Sequence, residues 1–245
     1  MRSDGITPAV AIELDTTLPP LKPDLSATSV SLSAPQATEG DAATFSTTIS
    51  NAGPGDANDA AVRFLVDGAQ IGSDRTAASL AAGGSATVSS DAWTATTGTH
   101  IVQVVVDPAN AIDEIDEGNN SASATFAVQT KAGLTPATLS LSVTKGKSGD
   151  AVTVSAKVAN LGEASASTVV VRFLLDGVQL GAERTIAKLA GGASVVVSSD
   201  VWSAARQDGQ HTVQVLDPAN SVTESNEANN TAALTFRVKG GRVSS

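Results

Sequence analysis

AAVRFLVDGAQIGSDRT, from Ala60 to Thr76, returns as VVVRFLLDGVQLGAERT from Val169 to Thr185. Within the first stretch Val62, Phe64 and Val66 take every second position, and Val171, Phe173 and Leu175 match them in the second. Alternation of period two turns one side of a strand to a core and the other to water. An Asp-Gly turn follows each time, at Asp67-Gly68 and Asp176-Gly177. A strand-and-turn unit written twice implies a domain written twice.

The duplication extends in both directions. Gly40-Asp41 and Gly149-Asp150 correspond, as do Asn51-x-Gly53 and Asn160-x-Gly162, and SSDAW ending at Trp93 returns as SSDVW ending at Trp202. DPANAIDEIDEGNN (Asp107 to Asn120) matches DPANSVTESNEANN (Asp217 to Asn230). Other stretches alternate too: Ala43, Phe45, Thr47 and Ile49 against Val152, Val154, Ala156 and Val158. Ala122, Ala124, Phe126 and Val128 answer to Ala232, Leu234, Phe236 and Val238. Turn clusters such as NAGPGDAND and AAGG separate the strands, and no helical period of useful length intervenes. About seven short strands in each copy predict an all-β chain of two tandem immunoglobulin-like or fibronectin-III-like β-sandwiches.

The expected organisation is an N-terminal extended arm and proline-rich tether over 1–22, sandwiches over 23–128 and 133–238, and a tail over 239–245. The linker over 129–132, Gln-Thr-Lys-Ala, has no flexible Gly/Ser tract, which predicts limited freedom between successive domains. In the arm Val10, Ile12 and Leu14 alternate ahead of Thr-Thr-Leu-Pro-Pro-Leu-Lys-Pro. A lone strand leaves its amides unpaired, so this segment is a candidate for donation to a sheet edge, its own or a neighbour's. A frayed terminus is the plainer reading.

Composition removes whole classes of function. The chain of 245 residues has no Cys, so no disulfide, thiolate metal site or thiol nucleophile. Its two His leave little room for a multi-histidine metal centre. Lys+Arg 15 against Asp+Glu 25 gives net −10, the wrong sign for tracking nucleic-acid phosphates. No run approaches the ~20 apolar residues of a membrane-spanning helix. Hydrophobic residues reach 41% with only 3% aromatics, which describes a globular core of small and β-branched side chains.

The block opening D-P-x-N and closing E-x-x-E-x-N-N carries a resemblance. With PDL at Pro23, Asn51-x-Gly53, the Asp67-Gly68 turn and LAAG at Leu80, the first copy resembles the CARDB family, the cell-adhesion-related domain found in bacteria. The second copy keeps the pattern, with Leu134-Thr135 where PDL opens the first and LAGGAS in the middle. The resemblance covers nearly all of 23–238. It implies an immunoglobulin-like sandwich, usually in tandem, in surface or secreted proteins of bacteria and archaea, and it implies no reaction.

Three constellations remain to weigh. Asp107, Asn110, Asp113, Glu114, Asp116 and Glu117 supply the oxygen inventory that calcium wants, six to eight ligands. Against this, Asp107 and Asn110 can fold the turn while Glu114 and Glu117 accept backbone N–H groups. The second copy keeps Asp217, Asn220, Glu224 and Glu227 but has Thr223 for Asp113 and Asn226 for Asp116, which favours the structural role with calcium as the alternative. His100 and His211 open equivalent strands; each is expected to serve the fold, either tying the corner by a hydrogen bond or standing as a surface imidazole. Trp93 and Trp202 are expected to fill core volume, with stacking on a sugar ring as the rival.

Enzyme chemistry has almost no foothold. Each domain has one His, on repeated scaffold, and paired carboxylates occur only in the acidic loop. No Lys lies between Lys22 and Lys131, so the first sandwich cannot lock itself by a Lys–Asn isopeptide bond. The expected function is a non-enzymatic structural or adhesive module, extracellular or at the cell surface, a stiff tandem spacer whose partner is a protein, another copy, or a cell-surface glycan. The alternatives are a virion or filament subunit that donates the arm strand, and a calcium-dependent carbohydrate binder. Met1-Arg2-Ser3-Asp4 lacks the apolar stretch of a secretory signal. This fits either a piece of a longer secreted protein or release by another route, such as lysis in the virion case.

Overall fold

The computed structural model describes residues 19–34, 36–142, 151–203, 209–216, 220, 222–239 and 242–244. The candidate arm strand at Val10, Ile12 and Leu14 lies outside the described residues.

The first repeat comprises β1 (Leu25–Leu32), β2 (Ala37–Thr38), β3 (Ala42–Ala43), β4 (Phe45–Asn51), β5 (Ala57–Val66), β6 (Ala69–Gln70), β7 (Arg75–Leu80), β8 (Ser85–Ser89), β9 (Trp93–Thr94), β10 (Gly98–Val106) and β11 (Ser121–Gln129). The second comprises β12 (Leu134–Leu141), β13 (Ala151–Val152), β14 (Val154–Asn160), β15 (Ala166–Leu175), β16 (Val178–Gln179), β17 (Arg184–Leu189), β18 (Ser194–Ser198), β19 (Trp202–Ser203), β20 (Gly209–Leu216), β21 (Ala232–Lys239) and β22 (Arg242–Ser244). Seven strands in each repeat reach five or more residues, the number the alternation predicts.

In each repeat a three-stranded sheet opposes a larger one. The order β1-β4-β8 recurs as β12-β14-β18, and the run β6-β5-β10-β11, with β7 also on β5, recurs as β16-β15-β20-β21, with β17 on β15; the edge beyond differs, β2 lying parallel on β11 and β22 antiparallel on β21. Every sheet draws its strands from one repeat.

The cores are those the period-two patterns mark. Phe45, Ile49, Val62, Phe64, Val102, Val104 and Val106 are buried in the first, and Val152, Val154, Ala156, Val171, Phe173, Val213 and Phe236 in the second. Each Val, Ile or Phe among them contributes roughly 1.5–3 kcal/mol by leaving water. Short serine and threonine side chains occupy the opposite face of the smaller sheet and bond across it, as Ser31 does with Ser46 at 3.0 Å and Ser155 with Ser198 at 2.9 Å. Val66 pairs Ala69 across Asp67-Gly68, whose φ values of 50° and 80° are both left-handed, as a two-residue hairpin turn requires. Asp176-Gly177 repeats this at 50° and 82°.

Within a repeat the chain comes in at one end and goes out at the other. β1 begins beside Asn51, its partner at Leu25, and β11 begins directly after the acidic loop at that same end. β11 then runs the length of the sandwich before Val128 and Gln129 pair with Ala37 and Thr38. At about 3.4 Å per residue its nine residues span close to 30 Å.

Candidate functional site

The polar residues buried in each repeat gather where its first strand begins. Asn51 sits at the end of β4 with 1% of its surface exposed. Its Oδ1 accepts the backbone N–H of Asp24 at 3.0 Å and of Gly53 at 3.1 Å, and its Nδ2 donates to the carbonyls of Gly55 at 2.7 Å and Leu80 at 3.0 Å. One amide therefore joins the incoming chain, its own loop and the end of β7. Gly53 has to be glycine, since a Cβ there would lie 2.6 Å from the backbone of Lys22, Pro23 and Asp24.

The acidic loop closes the other side. Glu114, 4% exposed, accepts the N–H of Leu25 through Oε2 at 2.5 Å and the Asn120 amide through Oε1 at 3.0 Å. Its own N–H donates to Glu117 Oε1 at 3.0 Å, and Ile115 N–H donates to the Pro23 carbonyl at 3.0 Å. Asp107 and Asn110 both adopt left-handed φ, 43° and 52°, which short polar side chains tolerate best. Asn110 N–H closes the turn on the Asp107 carbonyl at 2.9 Å, and Asp107 Oδ2 accepts the Ile112 N–H at 2.7 Å. Burial pushes the Glu114 carboxyl above its usual range; the Leu25 and Asn120 donors pull it back, while the charges of Glu117 and Asp107 push further.

The second repeat rebuilds the clamp. Asn160 accepts Gly133 and Gly162 N–H at 3.0 and 3.1 Å and donates to Ala164 and Leu189 carbonyls at 2.8 and 3.2 Å. Glu224 accepts Leu134 N–H at 2.6 Å and donates its own to Glu227 at 2.9 Å. Leu134 thus takes the place of Leu25, and Ala132-Gly133-Leu134 corresponds to PDL, one register earlier than Leu134-Thr135 suggests. The sequence could not place this register because only Leu is shared. Asn230 donates to Glu227 at 3.3 Å, whereas Asn120 donates to Glu114.

The six residues named for calcium do not share one duty. Asp107, Glu114 and Glu117 accept backbone N–H groups. Asp116 Oδ1 accepts Gly118 N–H at 2.8 Å, and Asp113, 81% exposed in its side chain, pairs with Lys22 at 2.5 Å. Among the described residues no three Asp, Glu or His side chains converge on a metal-sized site. Three oxygens stand out beside the clamps: Asn119 Oδ1 and Asn120 Oδ1 in the first repeat and Asn230 Oδ1 in the second are buried with no hydrogen-bond partner among the described residues.

Each sandwich also carries a ring cluster at the opposite end of its smaller sheet. His100 lies 5.0 Å from Trp93 and 5.6 Å from Phe126 between ring centroids, and its Nε2 lies 2.8 Å from the Thr96 carbonyl. His211 lies 5.6 Å from both Trp202 and Phe236. Its Nδ1 meets Asp176 Oδ2 at 2.7 Å, and Asp176 Oδ1 accepts Thr212 N–H at 2.9 Å. Both His are buried and serve the fold, His211 through the turn carboxylate of Asp176 and His100 with its Nε2 against the Thr96 carbonyl. Both Trp are half-buried, at the margin of the core. Asn51, Asn160 and the second duty of Asp176 escaped the sequence reading; the repeated Asn-x-Gly was the signal available for the first two.

A three-stranded sheet facing a larger, mostly antiparallel sheet, twice over, defines an immunoglobulin-like or fibronectin-III-like module. The CARDB family model matches residues 22–124 and again 131–234, and the chain belongs to the CARDB family, immunoglobulin-like domains associated with cell surfaces. It is similar to the CARDB domain of a Pyrococcus furiosus protein solved in complex with di-metal ions, at 22% identity and TM-score 0.39, over 44% of this chain and 94% of that one. A domain of a Methanosarcina acetivorans protein described as a cell surface protein is 32% identical, TM-score 0.38, over 44% of this chain and 92% of that one. The fibronectin(III)-like modules of Clostridium thermocellum CbhA match at 16% identity and TM-score 0.26, over 86% and 94%. No curated protein matches the sequence. Folds of this class are typically non-catalytic, and no helix among the described residues is long and apolar enough to cross a membrane.

Proposed function

We propose that the chain is a non-enzymatic structural and adhesive module outside the cell, a tandem spacer that passes tension from one end of each sandwich to the other. What supports this is the path of the chain: it comes in at β1 or β12 beneath a buried Asn–Glu clamp and reaches the far end along β11 or β21, the second repeat then adding the short return strand β22. Pulling on the termini then loads β1 against β4 along their whole ladder, and the clamp must break before β1 can leave. Single-molecule extension of the full chain should show two discrete unfolding events, each releasing roughly 35 nm for ~105 residues. Gradual extension without discrete events would end the spacer reading.

A second reading has one observation in its favour, the undonated Asn119 and Asn120 carbonyl oxygens next to Glu114. Calcium is an oxygen-seeking ion, and Asn119, Asn120, Glu114 and Asp107 would be the residues to hold it in the first repeat. An ordered water satisfies the same oxygens equally well. A melt in calcium against chelator separates the two: a rise in the first repeat's transition supports the ion, and coincident curves leave the water.

A further inference from the structure

A groove of about 340 Å³ opens beside the second ring cluster, lined by Leu175, Asp176, Val178, Gln179, Leu180 and Trp202. Trp202 is half-buried, and its two ring neighbours meet it at 61° and 70°, so neither stacks parallel on the indole. Its Nε1–H has no acceptor among the described residues. Asp176 is held by His211 and Thr212 yet remains 48% exposed in its side chain, and the His211 bond keeps its carboxyl below the usual range, hence ionised. Gln179 Nε2 donates to the Gly181 carbonyl at 2.9 Å, which fixes the amide and leaves its Oε1 as an acceptor. Val178, 72% exposed, forms an apolar rim.

We infer that this groove binds one pyranose ring of a surface glycan, without a metal. A pyranose offers an apolar C–H face to an indole and hydroxyls around its perimeter for a carboxylate, an amide oxygen and an indole N–H. The charge and polarity at the groove match that alternation. An extended peptide is a poorer fit, because it would need a long open strand edge and β16, the edge strand here, has two residues. The first repeat lacks the groove's features: Ile71, in the place of Leu180, is buried, Ala69 replaces Val178, and the Gln70 amide is also engaged by Asp74 at 3.0 Å. The inference deepens the adhesive part of the proposed function by naming its ligand class, and it leaves the spacer part independent.

The test uses the full chain carrying Trp93→Phe, so that Trp202 is the sole indole reporter. Titration with soluble oligosaccharides of glucose, galactose and N-acetylglucosamine should change its emission for at least one sugar, equally with and without chelator. Gln179→Ala and Val178→Glu, both at exposed positions, should weaken that binding roughly tenfold or more, while Gln70→Ala in the first repeat leaves it unchanged. No response to any sugar, an undiminished response in both groove variants, or saturation by peptide alone would overturn the inference. The extension experiment above reads the spacer role separately, so either can fail without the other.

Discussion

Asn51 and Glu114 show how a few buried polar atoms fix where a strand begins. Removing the Asn51 side chain orphans two N–H donors and two carbonyls in a buried place, which costs more than the bonds themselves contribute. Asn51→Ala should destabilise the first repeat by about 2–4 kcal/mol in denaturant unfolding, and Asn160→Ala should do the same to the second. Glu114 has a definite sign. Its folded pKa lies above the ordinary value of 4.5, so its stabilising contribution is complete below that pH and is lost as pH rises through the folded value. The first repeat should therefore gain stability as pH falls through the folded pKa of Glu114 toward 4.5, and Glu114→Gln should flatten that slope. Asp176 runs the other way: its pKa lies below 3.8, lowered chiefly by His211, so its contribution is present above 3.8 and lost in stronger acid. Thr168 is strained. It holds φ at 57°, where the first repeat has Asp59 at 53°, and a β-branched residue tolerates that region badly. Thr168→Asp should stabilise the second repeat by about 0.5–1 kcal/mol, read as a raised midpoint in urea.

At the scale of elements, the repeated loops and turns are explained by what passes near them. Asn-x-Gly recurs because the incoming chain crosses over Gly53 and Gly162, where a Cβ would meet backbone at 2.6 Å and 1.9 Å. Gly53→Ala should cost more than a solvent-facing glycine change, on the order of 2–3 kcal/mol, because backbone on both sides must shift. Melting of the variant against Gly68→Ala checks this, since nothing lies within 4 Å of a Cβ at Gly68 and only its positive φ is penalised. In the first repeat the D-P-x-N block is likewise a turn with left-handed Asp107 and Asn110 followed by carboxylates that collect N–H groups. The surplus charge at Asp113 and Asp116 stays at the surface.

For the whole molecule, duplication is the controlling fact. Two sandwiches with the same clamp repeat one mechanical unit, while the hairpin beside the ring cluster has diverged: Ile71 is buried in the first, and Leu180 lines an open groove in the second. Removing residues 1–22 distinguishes a spacer from a strand-donating subunit. A spacer keeps its sedimentation coefficient and both unfolding events, whereas a donor loses its assembled species.

Strand number, fold class and the inward faces were legible in the residues because period-two alternation and the solvent preference of side chains are local properties. Asn51-x-Gly53 and the acidic block could be seen as motifs, yet their meaning was not visible. Which N–H a carboxylate receives depends on chain that lies some ninety residues away, as Glu114 and Leu25 do. The groove at Trp202 was also hidden, since it exists only where a hairpin, a turn carboxylate and a short strand meet. Sequence by itself determined that one sheet pair was made twice; tertiary structure decided which polar atoms it buries and where its surface opens, because long-range contact alone brings those atoms together.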